Sequence, residues 1–259
     1  MTESSIPAVR LGFGDHVVLC LHGWFASAKG WGLFPEMLDG DRFSYYFMDY
    51  RGYGARRDTA GEHTMAEMAA DALALADQVG AERFSVVGHS MSGMVAARVL
   101  VEAPRRVRSL VPICPVAASG YPFDDASWEL FSGAVQDDAK RATIIDFTSG
   151  NRLTSHWVDR MVQHSVEQST REAFGDYLVA WGRGDFSDRV TGDDVARVPI
   201  KVIVGEHDPA LSADLVQQTW LKLHPGAEME VIPNAGHYPM WETPIVLATM
   251  IEEFLSRPR

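Results

Sequence analysis

The sequence predicts an α/β fold: a mostly parallel β-sheet flanked by helices, with an inserted helical cap. Short apolar runs typical of buried strands alternate with longer patterns typical of helices, as expected for a parallel sheet with crossover helices. One stretch, residues 116–190, breaks this alternation and is far longer than an ordinary crossover. With 259 residues, the chain is long enough for one large core with an inserted subdomain.

Compact apolar runs predict the strands that precede the long stretch. Each run is short, nearly continuous in apolar residues and bounded by polar or glycine-containing turns, a pattern typical of strands buried on both faces. The predicted strands are residues 16–21, 43–48, 83–87 and 109–114.

Two helices are predicted between these strands. The first begins at Thr64, has apolar residues at helical spacing, and stops at Gly80. Thr64 and Glu67 have the spacing of a capping box, in which each side chain would accept a hydrogen bond from the other residue's main chain. The second helix follows residue 90 and is closed by Pro104.

The long stretch divides the predicted core in sequence. It reads as several short helices with many aromatic and large aliphatic residues, most of which should pack the helices against each other. A minority should line an apolar pocket, but spacing does not identify them. The remaining predicted elements are strands at 200–204 and 229–232 and a helix at 243–255. The predicted domains are a core of residues 1–115 and 191–259 and a cap of residues 116–190.

Composition excludes several classes of function. The net charge of −12 disfavours nucleic acid or an anionic membrane surface as a partner. The N-terminus lacks the pattern of a secretory signal, and no apolar run reaches membrane-spanning length. Cys20 and Cys114 lie in strand-like runs, which predicts reduced, buried thiols. We therefore expect a cytoplasmic protein, while the oligomeric state stays open.

The most informative motif is Gly88-His89-Ser90-Met91-Ser92-Gly93. It lies between a predicted strand and a predicted helix, where a sharp turn would expose the Ser90 hydroxyl. Such a turn brings the residues two before and two after the serine together, so both must be small. Gly88 and Ser92 meet this requirement, although Ser92 stands where glycine is usual. Taken alone, the hexapeptide could instead be a glycine-containing turn with no catalytic role.

A serine nucleophile needs a base, and the base needs an acid to orient it. His237 lies in a loop between the last predicted strand and the last helix, and Asp208 ends the preceding strand. Glu206 and His207 compete with Asp208 as candidates in the same loop. The alternatives are a solvated loop histidine and a solvated turn aspartate. Surface or packing roles are expected for the histidines at positions 63, 156, 164 and 224.

Two main-chain N–H groups are candidates for stabilising a reacting oxyanion. One is that of Met91, directly after the serine, and the other that of Trp24, in the turn after the strand at 16–21. Gly23 would allow the tight turn, and His22 is expected to brace it. No residues show metal-ligand spacing, and no glycine-rich loop matches a nucleotide-binding motif. We expect neither a metal nor a cofactor.

These motifs together resemble the α/β-hydrolase fold superfamily, in its serine-nucleophile, esterase-like branch with a helical cap. The likeness covers essentially the whole chain and keeps the family's order of Ser, then Asp, then His. It implies a sheet of the eight-stranded type, in which the short N-terminal segment accounts for the loss of a first strand. It also implies that residues 49–54 form a structural turn at the rim of the site. The matching segments are residues 21–24, 49–54, 88–93, 205–208 and 236–237.

The resemblance and the motifs predict a cofactor-free serine hydrolase. The expected substrate is a small-molecule carboxylic ester, with a lactone or thioester as variants of the same chemistry. Ser90 would attack, His237 would act as the base, and Asp208 would orient it. One alternative is C–C bond hydrolysis or cofactor-free oxygenation on the same scaffold. Another is a ligand sensor that keeps the three residues but turns over slowly.

Overall fold

A seven-stranded sheet forms the centre of the molecule in the computed structural model, which describes residues 5–258. The strand order is β1-β3-β2-β4-β5-β6-β7, and only β1 runs antiparallel to its neighbour. This confirms the predicted α/β fold with a mostly parallel sheet. The strands are β1 (Ala8–Leu11), β2 (His16–Leu21), β3 (Phe43–Met48), β4 (Phe84–His89), β5 (Val107–Ile113), β6 (Lys201–Gly205) and β7 (Glu228–Ile232).

Strand β1 was not among the sequence predictions. It pairs with β3 at the edge of the sheet, and none of its four residues is fully buried: the two in the middle are exposed and the two at the ends are half-buried. A strand at the edge of a sheet that is not buried on both faces can contain polar residues. The continuous apolar run that identified other strands is therefore absent from β1. The six predicted strands are all present; those at 16–21 and 43–48 match at both ends, and the ends of the other four differ by at most two residues.

Helices connect the strands and cover the sheet. Helix α1 packs against α2, and α11 packs against a short 3₁₀ turn at Phe34–Met37. No helix within residues 5–258 combines the length and apolar character needed to cross a bilayer. The helices outside the long insertion are α1 (Met65–Gln78), α2 (Met91–Glu102), α7 (Asp193–Ala196), α8 (Ala213–Gln218), α9 (Trp220–Leu223), α10 (Pro239–Glu242) and α11 (Pro244–Leu255).

Half of the predicted capping box at the start of α1 is present. The Thr64 hydroxyl accepts a hydrogen bond from the Glu67 main-chain N–H at 3.1 Å. The Glu67 carboxylate does not return to Thr64. It instead accepts hydrogen bonds from the main-chain N–H groups of Glu62 and His63 and pairs with Arg51 at 2.8 Å. The ion pair and the preceding turn give this carboxylate better partners than the helix end does.

Residues 116–190, called the insertion below, leave the sheet after β5 and return before β6. They contain the four helices α3 (Asp125–Gly133), α4 (Asp138–Thr148), α5 (Ser155–Gln168) and α6 (Arg171–Arg183). Each helix begins with a side-chain cap, from Asp124, Asp137, Thr154 and Thr170. Helix α4 packs against α3 and α5, and α6 reaches α1 of the core. That the insertion is a separate cap domain stays a prediction.

Candidate active site

The three candidate side chains meet at the carboxyl ends of parallel strands. Ser90 directly follows β4, Asp208 follows β6, and His237 follows β7. The Ser90 hydroxyl lies 2.9 Å from His237 Nε2, and His237 Nδ1 lies 2.6 Å from Asp208 Oδ2. Loops at this edge of a parallel sheet converge, which explains how residues so far apart in sequence come into contact.

The turn at Ser90 has an unusual backbone. Ser90 has φ 56° and ψ −118°, a conformation that non-glycine residues adopt only when their surroundings hold them there. Its N–H donates to the Ile113 carbonyl at 2.9 Å, and its carbonyl accepts from Val116 at 3.0 Å. A Cβ on Gly88 would lie 2.3 Å from the Ser92 carbonyl oxygen, so this position requires glycine. The sharp turn predicted from the motif is therefore present.

Ser92 has a contact that glycine could not make. Its hydroxyl donates to the His22 carbonyl at 2.5 Å, and the Tyr50 hydroxyl lies 2.7 Å from the same oxygen. Because the Ser92 proton is directed at His22, Tyr50 is the donor of the second bond. The departure from the usual glycine thus joins the serine turn to the loop after β2.

Main-chain groups orient the Asp208 carboxylate. Its Oδ1 accepts hydrogen bonds from the N–H groups of Ala210 and Leu211, both at 3.0 Å, while Oδ2 faces His237. The His237 loop is held from two sides: its N–H donates to Thr148, and its carbonyl oxygen lies 2.8 Å from His89 Nε2. The competing Glu206 side chain instead accepts a hydrogen bond from the Asn234 N–H.

Trp24 is held firmly in the loop after β2. Its indole N–H donates to the Phe174 carbonyl at 2.7 Å, and the two rings stack with centroids 3.9 Å apart. The Tyr53 hydroxyl donates to the Trp24 carbonyl at 2.9 Å. Met91, the other candidate donor, is the first residue of α2 and directly follows Ser90. The loop after β2 and the start of α2 both lie beside Ser90. That the Trp24 and Met91 N–H groups stabilise an oxyanion stays a prediction.

Asp49 also holds the loop after β2 in place. Its two carboxylate oxygens accept hydrogen bonds from the N–H groups of Ala28 at 2.7 Å and Ala55 at 2.9 Å. Burial lowers the pKa of His22, so the neutral ring donates through Nδ1 to the Gly23 carbonyl at 2.8 Å. Asp49 and His22 therefore have the structural roles that were predicted for them.

A narrow cavity lies next to Ser90, with about 30 Å³ open to the centre of a water molecule. The core and the insertion both contribute to its wall, which is mainly aromatic and aliphatic. Six residues of the insertion reach it: Val116, Tyr121, Phe131, Ile144, Thr148 and Trp181. The lining residues are Trp24, Phe25, Ser90, Val116, Tyr121, Phe131, Ile144, Thr148, Trp181, Ala210, Leu211, His237 and Tyr238.

The sequence did not reveal that Cys114 lies beside Asp208. The ligand-type atoms of Cys114, Asp208 and His237 lie within 4.8 Å of one another, and all three residues are buried. Burial, and next the Asp208 charge, raises the pKa of the Cys114 thiol, so the thiol is neutral at neutral pH. Both cysteines are free and buried, as predicted. Sequence spacing gave no sign of this contact because Cys114 follows a different strand, β5.

Comparison with known proteins supports the observed fold, and several of the similar proteins are named as hydrolases or esterases. The profile of a family described as the alpha/beta hydrolase family matches residues 18–249. An esterase structure from Exiguobacterium antarcticum superposes with a TM-score of 0.85 at 18% identity, covering 97% of this chain and 96% of that one. At this identity the superposition shows the fold alone.

Curated relatives are diverse in activity. The pimeloyl-(acyl-carrier protein) methyl ester esterase of Nitrosomonas europaea is 29% identical over 98% of each chain. A 2-hydroxy-6-oxononadienedioate/2-hydroxy-6-oxononatrienedioate hydrolase from a Pseudomonas species is 24% identical over 98% of this chain and 93% of its own. The dihydrolipoyllysine-residue acetyltransferase component of the acetoin cleaving system of Cupriavidus necator is 27% identical over 90% of this chain, which spans 62% of that relative.

Proposed function

Because the chain belongs to the alpha/beta hydrolase family, we propose that it hydrolyses a small carboxylic ester with Ser90 as the nucleophile. The observation that carries the proposal is the pair of contacts from His237, 2.9 Å to the Ser90 hydroxyl and 2.6 Å to Asp208. Both distances are hydrogen-bond distances, and the order Ser–His–carboxylate is the one that activates a serine. A lactone or thioester carbonyl could be attacked in the same way.

In the proposed reaction, the Ser90 oxygen attacks the ester carbonyl while its proton passes to His237 Nε2. Asp208 stabilises the resulting imidazolium from the other side of the ring. The tetrahedral intermediate collapses, the C–O bond to the alcohol breaks, and the imidazolium protonates the departing alcohol. A water molecule then gives a proton to His237 and attacks the acyl-enzyme. The acid leaves, and Ser90 regains its proton.

The negative charge on the intermediate needs nearby donors. The proposed donors are the main-chain N–H groups of Trp24 and Met91. Neither N–H takes part in the main-chain hydrogen bonds of the described residues outside regular helices and strands. The clamp on Trp24 from Phe174 and Tyr53 supports this assignment, because donors held in place before the reaction stabilise an oxyanion most effectively.

The cavity favours a neutral substrate. Among the residues that the structure describes, its lining includes no lysine or arginine. A carboxylate on the substrate would therefore be buried without a cationic partner, which is costly. The net charge of −12 adds no attraction for an anion. This favours a neutral ester over a dienedioate, the dicarboxylate in the name of one C–C hydrolase relative.

The test combines an active-site label with a matched variant. A fluorophosphonate should label the wild-type chain, and Ser90→Ala should abolish labelling and lower the turnover of short p-nitrophenyl esters by several orders of magnitude. The thermal unfolding temperature should stay close to that of the wild type. Ester cleavage by Ser90→Ala at the parental rate would overturn the mechanism.

C–C bond hydrolysis is the second candidate, supported by the relatives that catalyse it. Offering a vinylogous diketone and a simple ester of similar size to the same preparation separates the two activities. Faster cleavage of the diketone would favour the second candidate. An acyl-enzyme that forms in a single turnover with the ester and then persists would instead indicate the ligand sensor that turns over slowly.

A further inference from the structure

The wall of the cavity contains a buried indole N–H that has no hydrogen-bond partner among the described residues. Trp181 lines the same cavity as Ser90 and is 4% exposed, and its indole N–H makes no hydrogen bond within residues 5–258. A buried donor left without an acceptor costs free energy that the fold does not recover elsewhere. Such a group in a ligand cavity is satisfied when a ligand brings the acceptor.

Three other polar side chains of the wall have partners. Ser90 and His237 pair with each other, and the Thr148 hydroxyl donates to the Ile145 carbonyl at 3.2 Å. The Tyr238 hydroxyl also lacks a well-aligned bond, but it lies close to the Thr148 hydroxyl and can rotate towards it. An indole N–H cannot rotate, because its direction is that of the ring.

Packing holds the Trp181 ring in place. Its centroid lies 5.5 Å from those of Trp24 and Phe123 and 6.0 Å from that of Phe131, with the rings tilted or edge-on to each other. Aromatic contacts at these distances resist reorientation of the ring. The ring that carries the unpaired N–H is therefore held in one orientation in the wall of the cavity.

We propose that Trp181 is a specificity-determining residue whose indole N–H donates to a second, neutral oxygen of the substrate, separate from the oxygens of the scissile ester. The substrate class is then a neutral ester that also carries an ether, keto or hydroxyl oxygen. This inference rests on the proposed ester hydrolysis. It gives an acceptor to the unpaired indole N–H in a wall whose described residues include no lysine or arginine.

The experiment compares pairs of esters that differ by one oxygen in place of one methylene group, with the oxygen moved stepwise along the acyl chain and along the alcohol. For each pair, kcat/KM is measured for wild type and for Trp181→Phe, which removes the N–H and keeps an aromatic ring. Intrinsic reactivity cancels when the same pair is compared between the two proteins. At one position we expect the preference for oxygen to fall about tenfold in the variant, the effect of one hydrogen bond.

Trp31 supplies the matched control. Its indole N–H is also buried and unpaired, but Trp31 does not line the cavity. Trp31→Phe should leave the preference for oxygen unchanged. Equal preferences in wild type and Trp181→Phe at every position would overturn the inference while ester hydrolysis stands. Failure of the wild type to cleave any ester would overturn the proposed function, and this inference with it.

A second measurement keeps the test valid should Trp181→Phe fail to fold. The Ser90→Ala protein with ¹⁵N-labelled tryptophan has seven indole groups to observe. Addition of the oxygen-containing ester, but not of its methylene counterpart, should move one indole N–H resonance downfield. An identical spectrum with both esters, at concentrations that saturate the site, would contradict the proposal.

Discussion

At the scale of single residues, the two carboxylate oxygens of Asp208 have different partners. Its Oδ1 is fixed by the Ala210 and Leu211 N–H groups, which leaves Oδ2 for His237. In Asp208→Asn, the amide oxygen can keep the main-chain bonds while the amide N–H₂ faces His237. The imidazole would then adopt the wrong tautomer, and kcat should fall by about 10⁴-fold. Steady-state kinetics, with thermal unfolding as the control, checks this; a loss under tenfold would contradict it.

His89 is a positioning residue at the same scale. Burial, and then the charge of His237, lowers the pKa of His89, so the ring is neutral at neutral pH. Its Nε2–H therefore donates to the His237 carbonyl at 2.8 Å, and the two ring centroids lie 4.9 Å apart. A Cβ on Gly23 would approach within 2.6 Å of His89 Nδ1, so the same ring also packs against the loop after β2.

A pair of variants tests this role of His89. His89→Leu removes the donor, whereas the amide of His89→Gln can still reach the His237 carbonyl. We expect kcat to fall about tenfold in the leucine variant and much less in the glutamine variant, with KM nearly unchanged in both. Equal losses in the two variants, or a change confined to KM, would show that the hydrogen bond does not position His237.

At the scale of elements, the loop after β2 is held by the insertion as well as by the core. Helix α6 supplies the Phe174 carbonyl and ring that fix Trp24, and the turn after β3 supplies Tyr53. Arg141 of α4 contacts the Phe174 ring in turn: its guanidinium carbon lies 3.7 Å from the ring centroid. The position of the proposed oxyanion donor thus depends on three separate elements.

Tyr53→Phe tests this dependence. The change leaves the Trp24 carbonyl without its buried donor and allows the loop to shift, so kcat should fall about tenfold. Tyr45→Phe is the matched control, because the Tyr45 hydroxyl donates at 2.7 Å to Glu252 and does not line the cavity. It should lower the free energy of unfolding without changing kcat. Similar kcat values for Tyr53→Phe and wild type would separate the clamp from catalysis.

At the scale of the whole molecule, buried histidines make stability depend on pH. Burial lowers the pKa of His224 from 6.5 to about 4 in the folded chain, where the ring stacks on Trp220. Between these two values the unfolded chain binds a proton that the folded chain does not, so stability falls as pH falls from 6.5 towards 4. At pH 5 the loss from this group is about 2 kcal/mol.

His224→Phe keeps an aromatic ring against Trp220 and cannot titrate. Urea unfolding at pH 7.5 and pH 5 should show a fall in the free energy of unfolding that is about 2 kcal/mol smaller in the variant than in the wild type. The remaining fall reflects other groups, including His22, His89 and His164, whose pKa values are also lowered by burial. The same fall in both proteins would contradict the assignment.

The parts of the fold that sequence revealed are those with a local cause. A strand buried on both faces must be apolar throughout, so the runs at β2 and β4 were visible, whereas the half-exposed β1 was not. The serine turn was visible because close approach of the backbone at Gly88 and residue 92 permits only small residues. The order of Ser90, Asp208 and His237 gave the candidate site, because each lies in the turn or loop that follows a strand.

Contacts between distant segments were decided by tertiary structure alone. Nothing in the spacing of the insertion shows that Phe131, Ile144 and Trp181 face the cavity while Phe174 turns to Trp24. The same holds for the Cys114 contact with Asp208. The amino-acid sequence by itself determined six of the seven strands, the serine turn and the candidate residues, since these follow from burial periodicity and local sterics. Which side chains surround the substrate depended on how four inserted helices pack on the sheet, and packing of that kind leaves no period in the sequence.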